Sequence, residues 1–87
     1  MPREFVLFLR LDAASLYRAL RRPEKDQLER FFDLLASYPH LKGETTERDE
    51  IGRTVEVKFV ANFKVIYWAD HAVKEVKVLR LERLRRR

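Results

Sequence analysis

Eighty-seven residues with 46% hydrophobic side chains, two Gly and three Pro leave room for one domain, and a chain of this length buries roughly 60–65% of its unfolded surface. Cysteine is absent, which excludes disulfide frameworks, thiolate zinc sites and thiol nucleophiles. The formal charge of +5 sits at one end: residues 1–73 carry 12 Lys/Arg against 12 Asp/Glu, whereas Lys74, Lys77, Arg80, Arg83, Arg85, Arg86 and Arg87 are opposed only by Glu75 and Glu82.

Glu4 to Leu11 alternates Phe5, Leu7, Leu9 and Leu11 with Val6, Phe8 and Arg10, as in a strand with neighbours around it. Asp12 can cap a helix over residues 13–21, where Leu16, Tyr17 and Leu20 form a stripe. Pro23 suits the first turn of a second helix running to Tyr38, with Glu24 and Asp26 favourable near its N-terminus. The apolar positions Leu28, Phe31, Phe32, Leu35 and Tyr38 mark its buried face, and the short link makes the two helices an antiparallel hairpin. Pro39 ends that helix. The polar segment from His40 to Gly52, with Glu44, Glu47, Asp49 and Glu50, reads as an exposed connection.

Three strands follow. Arg53 to Val60 alternates Val55, Val57 and Phe59 with Thr54, Glu56 and Lys58; a turn at Ala61-Asn62 leads to Phe63–Ala69; a turn over residues 70–73 leads to Lys74–Leu81. The expected fold is α+β, two-layer, in the order β-α-α-β-β-β, with the N-terminal helix hairpin packed on an antiparallel sheet, as a single domain over residues 1–87 with a basic C-terminal end at 82–87. No apolar run approaches the roughly 20 residues of a membrane span, and Met1-Pro2-Arg3-Glu4 lacks a signal-peptide core, so a cytoplasmic location with no membrane partner is expected.

Several chemistries are poorly served. Two isolated glycines cannot form a phosphate loop, His40 and His71 lack a partner at ligand spacing, and Ser15 and Ser37 both fall inside helices, so neither metal nor cofactor is expected. A polar strip on the sheet remains. If the helices cover Val55, Val57 and Phe59, then Glu56 and Lys58 project together from the other side, and Lys64 joins them if the turn preserves facing. Such a cluster could grip a phosphodiester, with the cations offsetting charge that grows in the transition state and Glu56 taking a proton. The same residues also read as ordinary cross-strand surface pairs. Trp68 and Tyr67 lie on opposite faces, one in the core and one able to stack on a base, although packing suits both. The acidic segment Glu44–Glu50 could shield the basic end.

The element order, F-K-V-I-Y at Phe63–Tyr67, V-K-V-L-R-L at Val76–Leu81, V-E-V-K-F at Val55–Phe59 and L-E-R-F-F-D-L-L-A-S-Y-P at Leu28–Pro39 resemble the RelE/ParE superfamily of toxins. The resemblance implies the toxin of a type II toxin–antitoxin pair. In the RelE branch it implies a metal-independent endoribonuclease that cuts mRNA in the ribosomal A site by attack of the ribose 2′-hydroxyl on the adjacent phosphate. Carried onto this chain, Lys64 would stabilise the phosphate, Lys58 would match a catalytic basic residue of the preceding strand, Glu56 would be a carboxylate beside them, and Arg83 or Arg85 the C-terminal phosphate-binding arginine. Lys77, Arg80, Arg85, Arg86 and Arg87 would hold nucleic acid. The implied partners are a cognate antitoxin that folds on binding, in a heterotetramer or larger complex, together with the ribosome and mRNA. Two departures stand out: Glu56 occupies a position that is basic in many RelE members, and Arg87 is not followed by the terminal Tyr or His that several members use. A ParE-like inhibitor of DNA gyrase, or a catalytically weak or inactive nucleic-acid-binding homologue, therefore stays open as an alternative.

Overall fold

The computed structural model describes residues 5–84, in the order β1 (Val6–Leu9), α1 (Leu11–Arg18), α2 (Arg22–Ser37), β2 (Thr45–Arg48), β3 (Thr54–Val60), β4 (Phe63–Asp70) and β5 (Glu75–Arg83). The strands form one five-stranded sheet in the order β1-β5-β4-β3-β2. The meander β3-β4-β5 is antiparallel, as expected. The sheet as a whole is mixed, because β1 lies parallel to β5 with Val6 opposite Glu75 and Leu9 opposite Val78. A parallel neighbour needs a long crossover, and the two helices supply part of it.

Two other expectations change. β1 is an edge strand of four residues instead of a surrounded one, so Leu7 and Leu9 reach the core while Val6 (67% exposed) and Phe8 (52%) stay in solvent. The segment from His40 to Gly52 contains a strand: β2 pairs antiparallel with β3, Thr45 opposite Val57 and Arg48 opposite Thr54. Its side chains bury little, so the ladder of backbone hydrogen bonds holds it in place.

The helices begin and end slightly off the expected positions. Arg10 is the N-cap of α1 and uses no side-chain bond, which moves Asp12 into the first turn, where its charge still complements the helix dipole. In α2, Pro23 sits in the first turn and Glu24 reaches back to accept from the Arg21 backbone N–H at 3.3 Å. Leu28, Phe31, Phe32 and Leu35 are buried with Ala36, but Tyr38 has left the helix and is 46% exposed. Tyr17 joins the two helices: its ring lies 6.1 Å from that of Phe32, and its hydroxyl donates to Glu29 at 2.5 Å.

The sheet has a core on each face. Phe63, Val65 and Tyr67 of β4 and Val76, Val78 and Leu81 of β5 pack with Leu28, Phe31, Phe32 and Leu35 of α2. Val55, Val57, Ile66 and Leu79, with Trp68 against them, form a second and smaller cluster to which no helix residue belongs. A register shift between Ile66 and Tyr67 leaves Leu79 as an extra residue of β5, because Ile66 faces Arg80 and Tyr67 faces Val78. That bulge is why Val78 and Leu81, three apart, both reach the helix side while Leu79 joins the other cluster.

Candidate nucleic-acid interface

The turn between β3 and β4 decides which side chains share a face. It has two residues, Ala61-Asn62, with Ala61 at φ 53, and it places Val60 opposite Phe63, Phe59 opposite Lys64, Lys58 opposite Val65 and Glu56 opposite Tyr67. Directly opposed residues point to the same side of a sheet. Val65 and Tyr67 belong to the helix-side core, so Glu56 and Lys58 point toward the helix layer and Lys64 points away from it. The expected convergence of Glu56, Lys58 and Lys64 is therefore corrected: Val55 and Val57 face away from the helices, which inverts the strand, and the two lysines lie on opposite faces of the sheet.

On the helix side, Glu56 is engaged in docking the chain after α2. Its Oε1 accepts from the Gly43 backbone N–H at 2.8 Å, and Lys42 Nζ lies 3.9 Å from its Oε2. Gly43 runs so close to β3 that a Cβ there would stand 2.3 Å from the Val57 carbonyl oxygen, a contact that no side chain tolerates. Lys58 Nζ pairs with Glu44 at 3.2 Å. The Tyr67 hydroxyl donates to the Leu41 carbonyl at 3.0 Å, and its phenol is pushed up to about 12 by burial and by the charges of Glu56 and Glu44. A cavity of about 230 Å³ lies between this loop and the sheet, with Glu56, Tyr67, His40 and His71 on its walls. The two imidazoles stack at 4.9 Å, and Phe5 meets His71 edge-on at 5.1 Å.

Arg83 also belongs to the helix side. It pairs with Phe63 in register, its guanidinium lies over the Phe63 ring, and its Nη1 reaches Glu24 at 2.6 Å. The Arg83 hydrogen bond, with help from the Arg21 backbone, holds the Glu24 carboxyl below the usual glutamate range. Arg83 and Lys64 are thus directed to different faces.

The helix-free face presents a different set. Arg10, at the end of β1, reaches Glu50 at 3.1 Å, although β1 and β2 are at opposite edges of the sheet. Lys64 Nζ contacts Glu47 at 2.7 Å. Arg53 lies 4.0 Å above the centre of the Trp68 indole and pairs with Asp49 at 2.9 Å, while Lys77 approaches the same ring at 5.4 Å and pairs with Asp70 at 3.1 Å. Arg80 pairs with Glu82. A cavity of about 250 Å³ opens here, with Val55, Ile66 and Leu79 as its floor and Arg10, Arg80, Glu47 and Glu50 around it. Of the residues read from sequence as nucleic-acid contacts, Lys77 and Arg80 are on this face with Lys64, and Arg85, Arg86 and Arg87 lie outside the described residues. Arg10 and Arg53 were missed. Arg10 had a legible signal, because it continues the alternation of Val6 and Phe8.

No family model and no curated protein matches the sequence. Solved structures do. A chain of the archaeal RelE–RelB complex from Pyrococcus horikoshii OT3 superposes with a TM-score of 0.75 at 15% identity, covering 97% of this chain and 99% of that one. The chain has the RelE toxin fold. A chain of the RelBE2 toxin–antitoxin complex from Mycobacterium tuberculosis gives 0.73 at 17% identity, covering 95% and 94%, and the isolated E. coli RelE toxin gives 0.69 at 13%, covering 95% and 87%. The RelE-like two-layer arrangement read from the sequence is the one observed, with the mixed sheet and the added β2 as its differences. Among the described residues, no helix is long and apolar enough to cross a membrane.

Proposed function

We propose that this chain is the toxin of a toxin–antitoxin pair, controlled by a cognate antitoxin, and that it acts on RNA through the helix-free face of its sheet as a RelE-like, ribosome-dependent mRNA endoribonuclease. The observation that carries this reading is the gathering of Arg10, Arg48 and Arg80 around an apolar-floored cavity on the face that α1 and α2 leave open, with Lys64 held on the same face by Glu47 of the cavity wall. Guanidinium and ammonium groups hold phosphates, and an apolar floor receives a base; together they suit a nucleotide strand. Cleavage on this face would proceed by attack of a ribose 2′-hydroxyl, its proton passing to water, on the neighbouring phosphorus; the bond to the 5′-oxygen breaks, that oxygen takes a proton from water and leaves as a hydroxyl, and a cyclic phosphate remains. Lys64 would offset the growing phosphoryl charge. Glu56, Lys58 and Arg83 take other roles here, since they face the helix layer, dock the loop after α2 and tie β5 to α2.

The test is primer extension on a translated message in a reconstituted translation system. In-frame cuts that require ribosomes on the message, and that vanish in Lys64→Ala, are expected. Their absence from a folded protein would overturn the cleavage reading. A second reading rests on the split site: because Glu56, Lys58 and Arg83 do not share a face with Lys64, a ParE-like toxin that inhibits DNA gyrase by surface contact needs no convergent set of groups. A supercoiling assay decides between them.

A further inference from the structure

Among the described residues, five cations of the helix-free face each hold a carboxylate: Arg10 with Glu50, Arg53 with Asp49, Lys64 with Glu47, Lys77 with Asp70, and Arg80 with Glu82, while Arg48 on the cavity wall donates to the Gly52 carbonyl. Three of those five carboxylates come from one short stretch, residues 47–50, at the outer edge and tip of the β2–β3 hairpin. The tip is internally built. Asp49 accepts from the Ile51 and Arg53 backbone N–H groups at 3.1 and 2.8 Å and from Arg53 Nε at 2.9 Å, and Gly52 closes the turn at φ 82. Asp49 and Arg53 therefore travel together as one unit. Of the three carboxylates, Glu47 and Glu50 reach outside the hairpin, to β4 and to the end of β1, and the second links elements from opposite ends of the strand order.

We propose that the β2–β3 hairpin is an electrostatic strap: Glu47 and Glu50 occupy, in the free protein, the places on Lys64 and Arg10 that phosphates of an RNA strand take when they displace it. The inference rests on the reading of this face as an RNA contact. Three features fit a strap that opens. β2 is an edge strand of four residues with one neighbour and no share in either core. Both anchoring pairs are partly open to water, where ion pairs hold weakly. The cavity floored by Val55, Ile66 and Leu79 lies against these same carboxylates, so releasing them widens access to an apolar surface next to two freed cations. The strap would keep a cationic face from binding polyanions indiscriminately, since a strand must exchange with two carboxylates before it engages.

The experiment measures binding of a fluorescent single-stranded RNA oligonucleotide to the full chain by anisotropy, over a salt series, for the wild type, Glu47→Gln/Glu50→Gln, Glu50→Gln and Lys64→Gln. The double variant is expected to bind at least about threefold more tightly, with Glu50→Gln intermediate, and its log affinity should fall more steeply with log salt, because no displaced carboxylates take up cations as the strand binds. Hydrogen exchange at the amides of residues 46–51 should accelerate when RNA saturates the wild type. Affinity unchanged or weakened in both glutamine variants, with Lys64→Gln still reducing binding, would overturn the strap and leave the RNA face standing. Absence of RNA binding in every form would overturn the RNA reading and the strap with it. Glu50→Gln, at the exposed tip, keeps the test valid if the double variant fails to fold.

Discussion

The two faces of this sheet are built on different terms. The helix side packs Phe63, Val65 and Tyr67 under a layer of Leu28, Phe31, Phe32 and Leu35, so its core is covered by regular structure and large side chains. The opposite side has a buried cluster of Val55, Val57, Ile66 and Leu79, with Trp68 beside it and a surround of paired charges. One face is sealed for stability, and the other keeps its apolar surface under groups that can be exchanged. That difference explains why the cations of β3 and β4 serve separate purposes although they are six residues apart: Lys58 lies on the sealed side and Lys64 on the open one.

The sharpest test of the comparison applies one substitution to both faces. Val65 and Val57 are each fully buried, on adjacent strands, with their side chains directed oppositely. Val65→Ala should cost roughly 2–4 kcal/mol of unfolding free energy, because the helix layer above it cannot collapse into the gap, and Val57→Ala roughly 1–2 kcal/mol, because exposed side chains and water can fill the space. Chemical denaturation reads both; equal costs would remove the distinction. Function should sort the opposite way. Lys64→Ala is expected to reduce RNA cleavage or growth inhibition by about 100-fold, the scale of a lost electrostatic contact in a transition state, while Lys58→Ala should change either by less than about threefold. Gly43→Ala should destabilise by about 1–3 kcal/mol, since its Cβ would meet the backbone of Val57 rather than a movable side chain.

The smallest effect concerns acid. Glu24 is held below its ordinary value by its hydrogen bond from Arg83, and Asp70 below its own by the hydrogen bond from Lys77. A depressed carboxyl contributes stability that is full above its unfolded value and lost as pH falls through the folded one. Urea midpoints should therefore drop between about pH 5 and about pH 3. Arg83→Ala should start lower and show a shallower drop over that interval; an unaltered slope would mean that the Glu24–Arg83 pair adds nothing to folding.

Much of the fold was legible because periodicity reports burial. The steps of Leu28, Phe31, Phe32 and Leu35 specify a helix with one buried face, and the alternation in residues 54–60, 63–69 and 74–81 specifies three strands. β2 is not legible for the same reason in reverse, since Thr45-Thr46-Glu47-Arg48 buries no apolar side chain and its pairing to β3 is made by the backbone. Tyr38 was read as the end of a stripe because spacing cannot show where a helix stops contacting its neighbour.

By itself, the sequence determined the number and kind of the principal elements, the absence of thiol chemistry and the concentration of positive charge in the last 14 residues. Only the tertiary structure decided which face of β3 meets the helices. Both of its faces carry residues able to pack, Val55 and Val57 on one and Glu56 and Lys58 through their methylenes on the other, so a period of two cannot choose between them. The two-residue turn at Ala61-Asn62 ties the facing of β3 to that of β4, and the bulge at Leu79 resets the facing along β5. The tertiary structure also brought together Arg10 and Glu50, 40 residues apart, which meet only because the sheet places the end of β1 within reach of the β2–β3 tip.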